Sequence, residues 1–262
     1  MHKLQYEIAD IRFNLYSDFA ISSDKAWDLF ANSSKNCDYS YECYMHETMP
    51  EISGRRYYDP IRERDYALCE EMADRTHIHL TSDNLPWGRH ISQLYPQLAL
   101  PHVLLLRRKL VIHASYIVTE RGAIIFTAPS GTGKSTQAEL WRKHRNAFVV
   151  NGDRAVIAMK NEEVWAYGFP LSGSSSDCHN RSAKVLAIVS LQQAPENEVR
   201  SLSASEALTA IVNGSYLPDE FAADLPRLID AALCIVQSVP VVRLRCLPDE
   251  TAVDALETYL KP

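Results

Sequence analysis

The sequence lacks the features that mark membrane proteins and nucleic-acid-binding proteins. It has no run of about 18 apolar residues that could span a bilayer, and residues 1–7 lack the apolar stretch of a signal peptide. The formal net charge of -6 provides no general attraction to phosphate backbones or anionic lipids. We therefore expect a cytoplasmic protein whose partners include neither nucleic acid nor a membrane.

Motifs of paired cysteines or of zinc ligands are also absent. The six cysteines include no Cys-x-x-Cys pair and no Cys/His spacing typical of a zinc site. His77 and His79 would share one face of a strand, but no spacing in the sequence identifies the further ligands that a metal site requires. We interpret both histidines as structural.

The composition is that of a folded globular protein, with 46% hydrophobic and 23% charged residues among 262. This length allows one substantial core and a smaller second one. Residues 1–91 carry strand-like alternation, as in 3–16, and no chemical motif, which predicts a small β-rich N-terminal module. Residues 92–262 are predicted to form a larger domain with a mixed α/β fold.

The larger domain begins near an apolar run, residues 91–110, which contains Pro101 and ends in three basic residues. This pattern predicts a helix with a break at the proline and positive charge at its C-terminus. A hairpin of strands 111–118 and 123–127 follows. Further strands are predicted at 147–150, 155–159, 164–167, 184–191 and 239–246, and helices at 135–145, 204–213, 219–237 and 249–260. Ser203 and Glu206 form a predicted capping box.

The segment 128–136, Ala-Pro-Ser-Gly-Thr-Gly-Lys-Ser-Thr, connects a predicted strand to a predicted helix. A phosphate-binding loop needs glycines for curvature, backbone amides that point inward, a lysine for the β- and γ-phosphates and a hydroxyl for magnesium. Lys134 and Ser135 are the expected lysine and hydroxyl. The predicted nucleotide-binding residues of the loop are Ser130, Gly131, Thr132, Gly133, Lys134, Ser135 and Thr136.

The loop departs from the usual G-x-x-x-x-G-K-[ST] pattern at its first position, where Ala128 replaces glycine and Pro129 follows. Alanine is acceptable there only if the backbone has negative φ. The alternative is a glycine-rich turn that contains Gly-Lys-Ser by chance.

A short apolar run ends at Asp153 directly after the loop helix, and the hairpin before the loop carries His113. In these features residues 110–215 resemble HPr kinase/phosphorylase and the phosphoenolpyruvate carboxykinase-like nucleotide-binding fold that it shares. The resemblance implies a mixed-sheet α/β P-loop domain that binds ATP and Mg²⁺.

The resemblance also implies roles for individual residues. Asp153 would be the catalytic base and, with Ser135, a magnesium ligand. His113, the second catalytic residue, would lie near the phosphates and would hold Asp153 or respond to pH. Arg181 would bind the nucleotide and supply positive charge to the transferred phosphoryl group. Each has a structural alternative: a turn-capping aspartate, a strand histidine and a solvated surface arginine.

The sequence has Asp153-Arg154 where HPr kinases have paired aspartates, and it lacks their Glu-Ile-Arg-Gly-like signature. It therefore resembles the shorter, monofunctional kinases that phosphorylate serine in ribosomally made precursor peptides, including those of lasso peptides. We expect Mg-ATP-dependent phosphorylation of a serine in a peptide or small protein, and a possible homo-oligomer. The alternatives are a small-molecule kinase and a nucleotide-gated binding module.

Overall fold

The chain divides into two compact units, residues 1–100 and residues 101–262. The structure, a computed structural model, describes residues 1–82, 90–173 and 175–261. Each unit contains one sheet with both parallel and antiparallel pairings, so the predicted mixed α/β class is confirmed. The functional division after residue 91 stays a prediction.

The first unit is built on a six-stranded sheet of order β1-β2-β3-β6-β5-β4. Its strands are β1 (His2–Ile8), β2 (Ile11–Ser17), β3 (Tyr39–His46), β4 (Arg55–Asp59), β5 (Arg64–Glu71) and β6 (Arg75–Thr81). Helix α1 spans Lys25–Asp28. Ala9 and Asp10, both with positive φ, form the two-residue turn between β1 and β2. The β-rich character expected from the alternating sequence is therefore present.

Side chains on β3 alternate between two environments. Tyr39, Tyr41 and Cys43 are buried in the core of the unit, whereas Glu42 and Tyr44 lie on the opposite, partly exposed face. This alternation follows from the two-residue period of a strand. The sheet thus has one apolar face and one polar face.

The apolar run before the second sheet does not form the single broken helix that the sequence predicts. It forms a 3₁₀ turn (Ile91–Leu94), α2 (Tyr95–Leu98) and α3 (Leu100–Leu105). The break lies at Ala99, which has left-handed backbone geometry with φ 43°, and Pro101 is the second residue of α3. A proline is tolerated there because the first turn of a helix does not use its N–H group. Lys109 belongs to the next strand, so the predicted helix end was wrong.

The second unit contains an eight-stranded sheet. Its strands are β7 (Lys109–Thr119), β8 (Gly122–Thr127), β9 (Phe148–Asn151), β10 (Arg154–Lys160), β11 (Glu163–Tyr167), β12 (Ser182–Gln193), β13 (Glu198–Ser201) and β14 (Val241–Cys246). The order is β11-β10-β7-β8-β12-β14-β13, with β9 beside β7. Because β11 also pairs with the start of β12, a closed ring of strand pairings runs through five strands: β11, β10, β7, β8 and β12.

Helices cover both faces of this sheet. They are α4 (Lys134–Arg145), α5 (Ala204–Gly214), α6 (Leu225–Ser238) and α7 (Glu250–Tyr259). One core packs the sheet against α5 and α6, and the other packs it against α4 and α7. Ile125 lies in the first core and Phe126 in the second, which explains why β8 is an uninterrupted apolar run. Within the three described ranges, no helix is long and apolar enough to cross a membrane.

In the C-terminal third of the chain, the helices and strands predicted from local sequence signals agree with the structure except at two places. The capping box of α5 is confirmed: the Ser203 hydroxyl accepts from the amide of Glu206, and the Glu206 carboxylate accepts from the amide of Ser203. The helix predicted at 219–237 is a 3₁₀ segment, Asp219–Asp224, followed by α6. The edge strand β13 is absent from the sequence-based prediction, because four mostly exposed residues have little hydrophobic pattern.

Helix α6 offers a test of the core assignment. Leu228 is 2% exposed and packs in the core shared with α5, whereas Leu233 on the same helix is 38% exposed. Leu228→Ala should lower the free energy of unfolding by about 2–5 kcal/mol, because it removes buried contacts and leaves a cavity. Leu233→Ala should change it by less than about 1 kcal/mol. Urea denaturation that gives equal midpoints for the two variants would contradict this packing.

Candidate functional site

The site begins where β8 passes through the 128–133 segment into α4. Gly131 and Gly133 have positive φ angles of 77° and 107°. A Cβ atom added to either would meet no atom within 4 Å, so these positions need glycine for backbone geometry and not for space. Ala128 is not in the left-handed region, so alanine is compatible with this position.

Helix α4 starts with an N-terminus that is open to an anion. Gly133 is its N-cap residue and has no side chain with which to accept hydrogen bonds from the first-turn amides. The first turn contains no acidic residue, and four basic residues occupy the last turn. The free N–H groups and the positive end of the helix dipole therefore both favour a negatively charged group at Lys134 and Ser135.

The Lys134 side chain folds back over the loop that precedes it. Its ammonium donates to the carbonyl oxygens of Ala128 at 2.9 Å and Pro129 at 3.2 Å. Burial lowers the pKa of Lys134, and the nearby Asp153 carboxylate partly opposes this shift. An anion bound in the loop would compete with neutral carbonyl oxygens for this ammonium and would favour its charged form.

Asn151, at the end of β9, shapes the turn that carries Asp153. Its side-chain oxygen accepts from the backbone amides of Asp153 and Arg154, each at 2.9 Å. Its side-chain nitrogen donates to the carbonyls of Phe169 and Leu171, each at 3.0 Å. The sequence-based prediction missed this role, although a buried asparagine at a strand end is a recognised signal for an Asx turn.

The structure brings Asp153, His113 and the start of α4 together. His113 Nε2 lies 3.4 Å from one carboxylate oxygen of Asp153, and the Arg154 guanidinium lies 3.3 Å from the other. The hydroxyl of Ser135 donates to the carbonyl of Gly152 at 3.3 Å, directly before Asp153. Register explains the first contact, because His113 on β7 pairs with Arg154 on β10.

The surroundings of His113 disfavour its charged form. Burial and the positive charge of Lys134 lower its pKa, and Asp153 only partly offsets them. A neutral imidazole can donate one hydrogen bond to Asp153 and still keep a nitrogen lone pair. His113 can therefore orient the Asp153 side chain.

The segment after β11 packs closely over Asp153. A Cβ atom on Gly173, whose φ is +58°, would lie 2.7 Å from the Asp153 carboxyl carbon. Gly152 leaves similar room for the side chain of Ser175. Arg142 of α4 binds Asp177 at 2.6 Å, which ties the far end of the segment to the helix. The prediction of a flexible loop over the substrate stays a prediction, and Ser174 within it lies outside the described residues.

A cleft of about 830 Å³ opens beside the loop. Its walls are residues 127–132, His113, the end of β12 at residues 190–193, one face of α5, and Arg243 on β14. This volume is typical of sites for small molecules and cofactors. The sequence-based prediction missed the α5 wall and Arg243, because only the folded sheet brings these distant residues to the loop.

The remaining predicted residues occupy different positions. Ser130 and Thr136 are exposed at the loop and in the first turn of α4, and Thr132 donates through its hydroxyl to the carbonyl of Pro129 at 2.9 Å. The Arg181 guanidinium stacks 4.7 Å from the centre of the Phe148 ring. Among the contacts of the described residues, none joins the Arg181 side chain to the loop.

Comparisons with known proteins give little further information. No protein-family model matches the chain, and no curated protein matches it. Among solved structures, it is similar to the HPr(Ser) kinase/phosphatase from Coxiella burnetii, with 11% sequence identity over 57% of this chain and 95% of that chain. The TM-score is 0.36, so the similarity is a distant likeness of fold and transfers no residue role.

The electrostatic coupling at the site can be measured on His113. Removing a positive neighbour should raise its pKa and removing a negative neighbour should lower it. We therefore expect the pKa of His113 to be higher in Lys134→Ala and lower in Asp153→Asn than in the wild type. NMR titration of the imidazole resonances measures both changes. Lys143→Ala, an exposed change in the last turn of α4, is the control and should leave this titration unchanged. Unchanged pKa values in both site variants would mean that the three side chains do not form one cluster.

Proposed function

We propose that the protein is a phosphotransferase that uses Mg-ATP to phosphorylate the hydroxyl group of a serine in a peptide or small protein. The observation that carries the proposal is the uncapped start of α4, where Lys134 and Ser135 meet the turn that bears Asp153. This arrangement joins an anion site to a carboxylate that can accept a proton.

The residues present fit a nucleotide with its metal ion. Gly131 and Gly133 leave open space beside the loop, and the first-turn amides of α4 lack a side-chain cap. Lys134 would bind the phosphate oxygens, and the exposed hydroxyl of Ser135 with the Asp153 carboxylate supplies oxygen ligands of the kind that Mg²⁺ prefers. The bound ion would offset negative charge on the phosphates.

Asp153 supports transfer because a serine hydroxyl is a poor nucleophile until a base accepts its proton. The carboxylate is positioned by the Asn151 turn and contacted by His113 and Arg154. His113 would orient the carboxylate, and Lys134 would stabilise charge on the transferred group. Gly173 beside Asp153 would limit access of water to the reacting atoms.

The choice of acceptor comes from the resemblance of the sequence motifs to peptide serine kinases, including those that act on lasso-peptide precursors. A small alcohol is an alternative acceptor for the same site, and a nucleotide-gated binding module would hold ATP without transferring phosphate. Incubating the protein with Mg-ATP and candidate peptides, followed by mass spectrometry for an added phosphate, separates the three. Nucleotide binding with no ADP formation and no phosphorylated acceptor would favour the binding module.

Lys134→Ala should weaken Mg-ATP binding about 10- to 100-fold, because a hydrogen bond to a charged group contributes roughly 1.5–3 kcal/mol. Calorimetry of Mg-ATP binding measures the change. Lys143→Ala removes an exposed lysine from the last turn of the same helix and should bind normally. Equal ATP affinity in the two variants would exclude the loop as the nucleotide site.

Asp153→Asn should retain Mg-ATP binding and lose about 100- to 10,000-fold in phosphate transfer, since the amide keeps the shape of the carboxylate but cannot take the proton. If Asp153 also binds magnesium, metal-dependent ATP affinity should fall too, and added Mg²⁺ should restore part of the activity. Asp230→Asn, on the exposed face of α6, is the matched control. Near-normal phosphate transfer by Asp153→Asn would show that Asp153 is neither the base nor a magnesium ligand and has only a structural role in the turn.

A further inference from the structure

The polar face of the N-terminal sheet contains a cluster of metal-ligating side chains. His77 and His79 lie two residues apart on β6 and therefore on one face. Strand pairing places Glu70 of β5 directly opposite His77, and Glu42 of β3 opposite the same histidine on the other side. The fold thus supplies the additional ligand that no spacing in the sequence identifies.

The three side chains Glu70, His77 and His79 present their donor atoms to one point. One carboxylate oxygen of Glu70 lies 3.1 Å from His79 Nε2 and 3.7 Å from His77 Nδ1. All three donor atoms lie within 4.8 Å of one another. A zinc ion about 2.0–2.1 Å from nitrogen and oxygen ligands holds tetrahedral neighbours roughly 3.3 Å apart, so only small side-chain shifts are needed.

The second ring nitrogen of each histidine also has a partner. His77 Nε2 lies 3.5 Å from Glu42 Oε2, and His79 Nδ1 lies 2.9 Å from His46 Nε2. Glu42 in turn accepts a hydrogen bond of 2.6 Å from the hydroxyl of Tyr44. Histidines that bind metals characteristically direct one nitrogen to the ion and the other to such an acceptor, which fixes the ring orientation.

A purely hydrogen-bonded network is the competing explanation for these contacts. It leaves the Glu70 carboxylate facing two imidazoles, of which His79 is buried. A divalent ion between the three side chains would bind the carboxylate and both imidazoles at once. One carboxylate and two imidazoles also match the His₂Glu ligand set of zinc sites that keep an open position.

We propose that Glu70, His77 and His79 bind one divalent transition-metal ion of the zinc class, with water completing its coordination. Glu42 and His46 are positioning residues that orient the two imidazole rings. Every residue that forms this site lies in the first unit, whereas the residues of the proposed nucleotide site lie in the second.

Calorimetric titration of the chelator-treated 262-residue chain with Zn²⁺, in the absence of nucleotide, tests the proposal. The wild type should bind one equivalent, and His77→Gln/His79→Gln should lose that binding. Glu42→Gln should weaken it about 10- to 100-fold without changing the stoichiometry, as expected for an outer-shell partner. His2→Gln and Glu51→Gln, two exposed changes in the same unit, should bind as the wild type does.

A wild type that binds no Zn²⁺, or a double variant that binds as tightly as the wild type, overturns the proposal. If the double variant does not fold, thermal melting decides instead. Zn²⁺ should raise the melting temperature of the wild type and not that of Glu70→Gln, because only binding to the native state stabilises it. An equal shift in both proteins, or none in the wild type, also overturns the site.

Discussion

The geometry of the candidate nucleotide site depends on one buried amide, the side chain of Asn151. An asparagine side chain has two N–H donors and an oxygen that can accept two hydrogen bonds, and here all four are used. The same side chain therefore fixes the turn that carries Asp153 and the segment that passes over it. An aspartate of the same shape could not donate to the two carbonyls, and each hydrogen bond lost in this way would cost about 0.5–1.5 kcal/mol.

The charges at the site follow from this arrangement. With Asp153 held beside His113 and near Lys134, burial lowers the pKa of both basic side chains, and the carboxylate partly opposes each shift. Lys134 meanwhile donates to carbonyl oxygens of its own loop, which are weaker partners than an anion. The site as folded is short of negative charge near the helix N-terminus. A polyphosphate would supply that charge, and this is why we favour a nucleotide over an uncharged ligand.

Local signals explain which parts of this site the sequence could predict. The apolar residues 123–126 are buried on both faces of β8, the glycines at 131 and 133 have the positive φ that other residues avoid, and α4 begins at Lys134. These features depend on neighbours within a few residues. The α5 wall of the cleft, the contact of Gly173 with Asp153 and the hydrogen bonds from Asn151 to residues 169 and 171 join distant segments. No local pattern encodes them, because they arise only when the strands pair.

The N-terminal unit shows the same limit in a simpler form. His77-Ile78-His79 is visible in the sequence, and the strand period alone predicts that the two imidazoles share a face. Whether they meet Glu70 depends on register, since a one-residue slip of β5 against β6 would turn that carboxylate to the apolar face. With Glu70 in place, the cluster offers two imidazole nitrogens and a carboxylate oxygen, a donor set that suits zinc-like transition-metal ions. Ser135 and Asp153 offer only oxygen donors, which suit Mg²⁺. Because the two donor sets differ in this way, a chelator selective for zinc should separate metal binding in the first unit from nucleotide chemistry in the second.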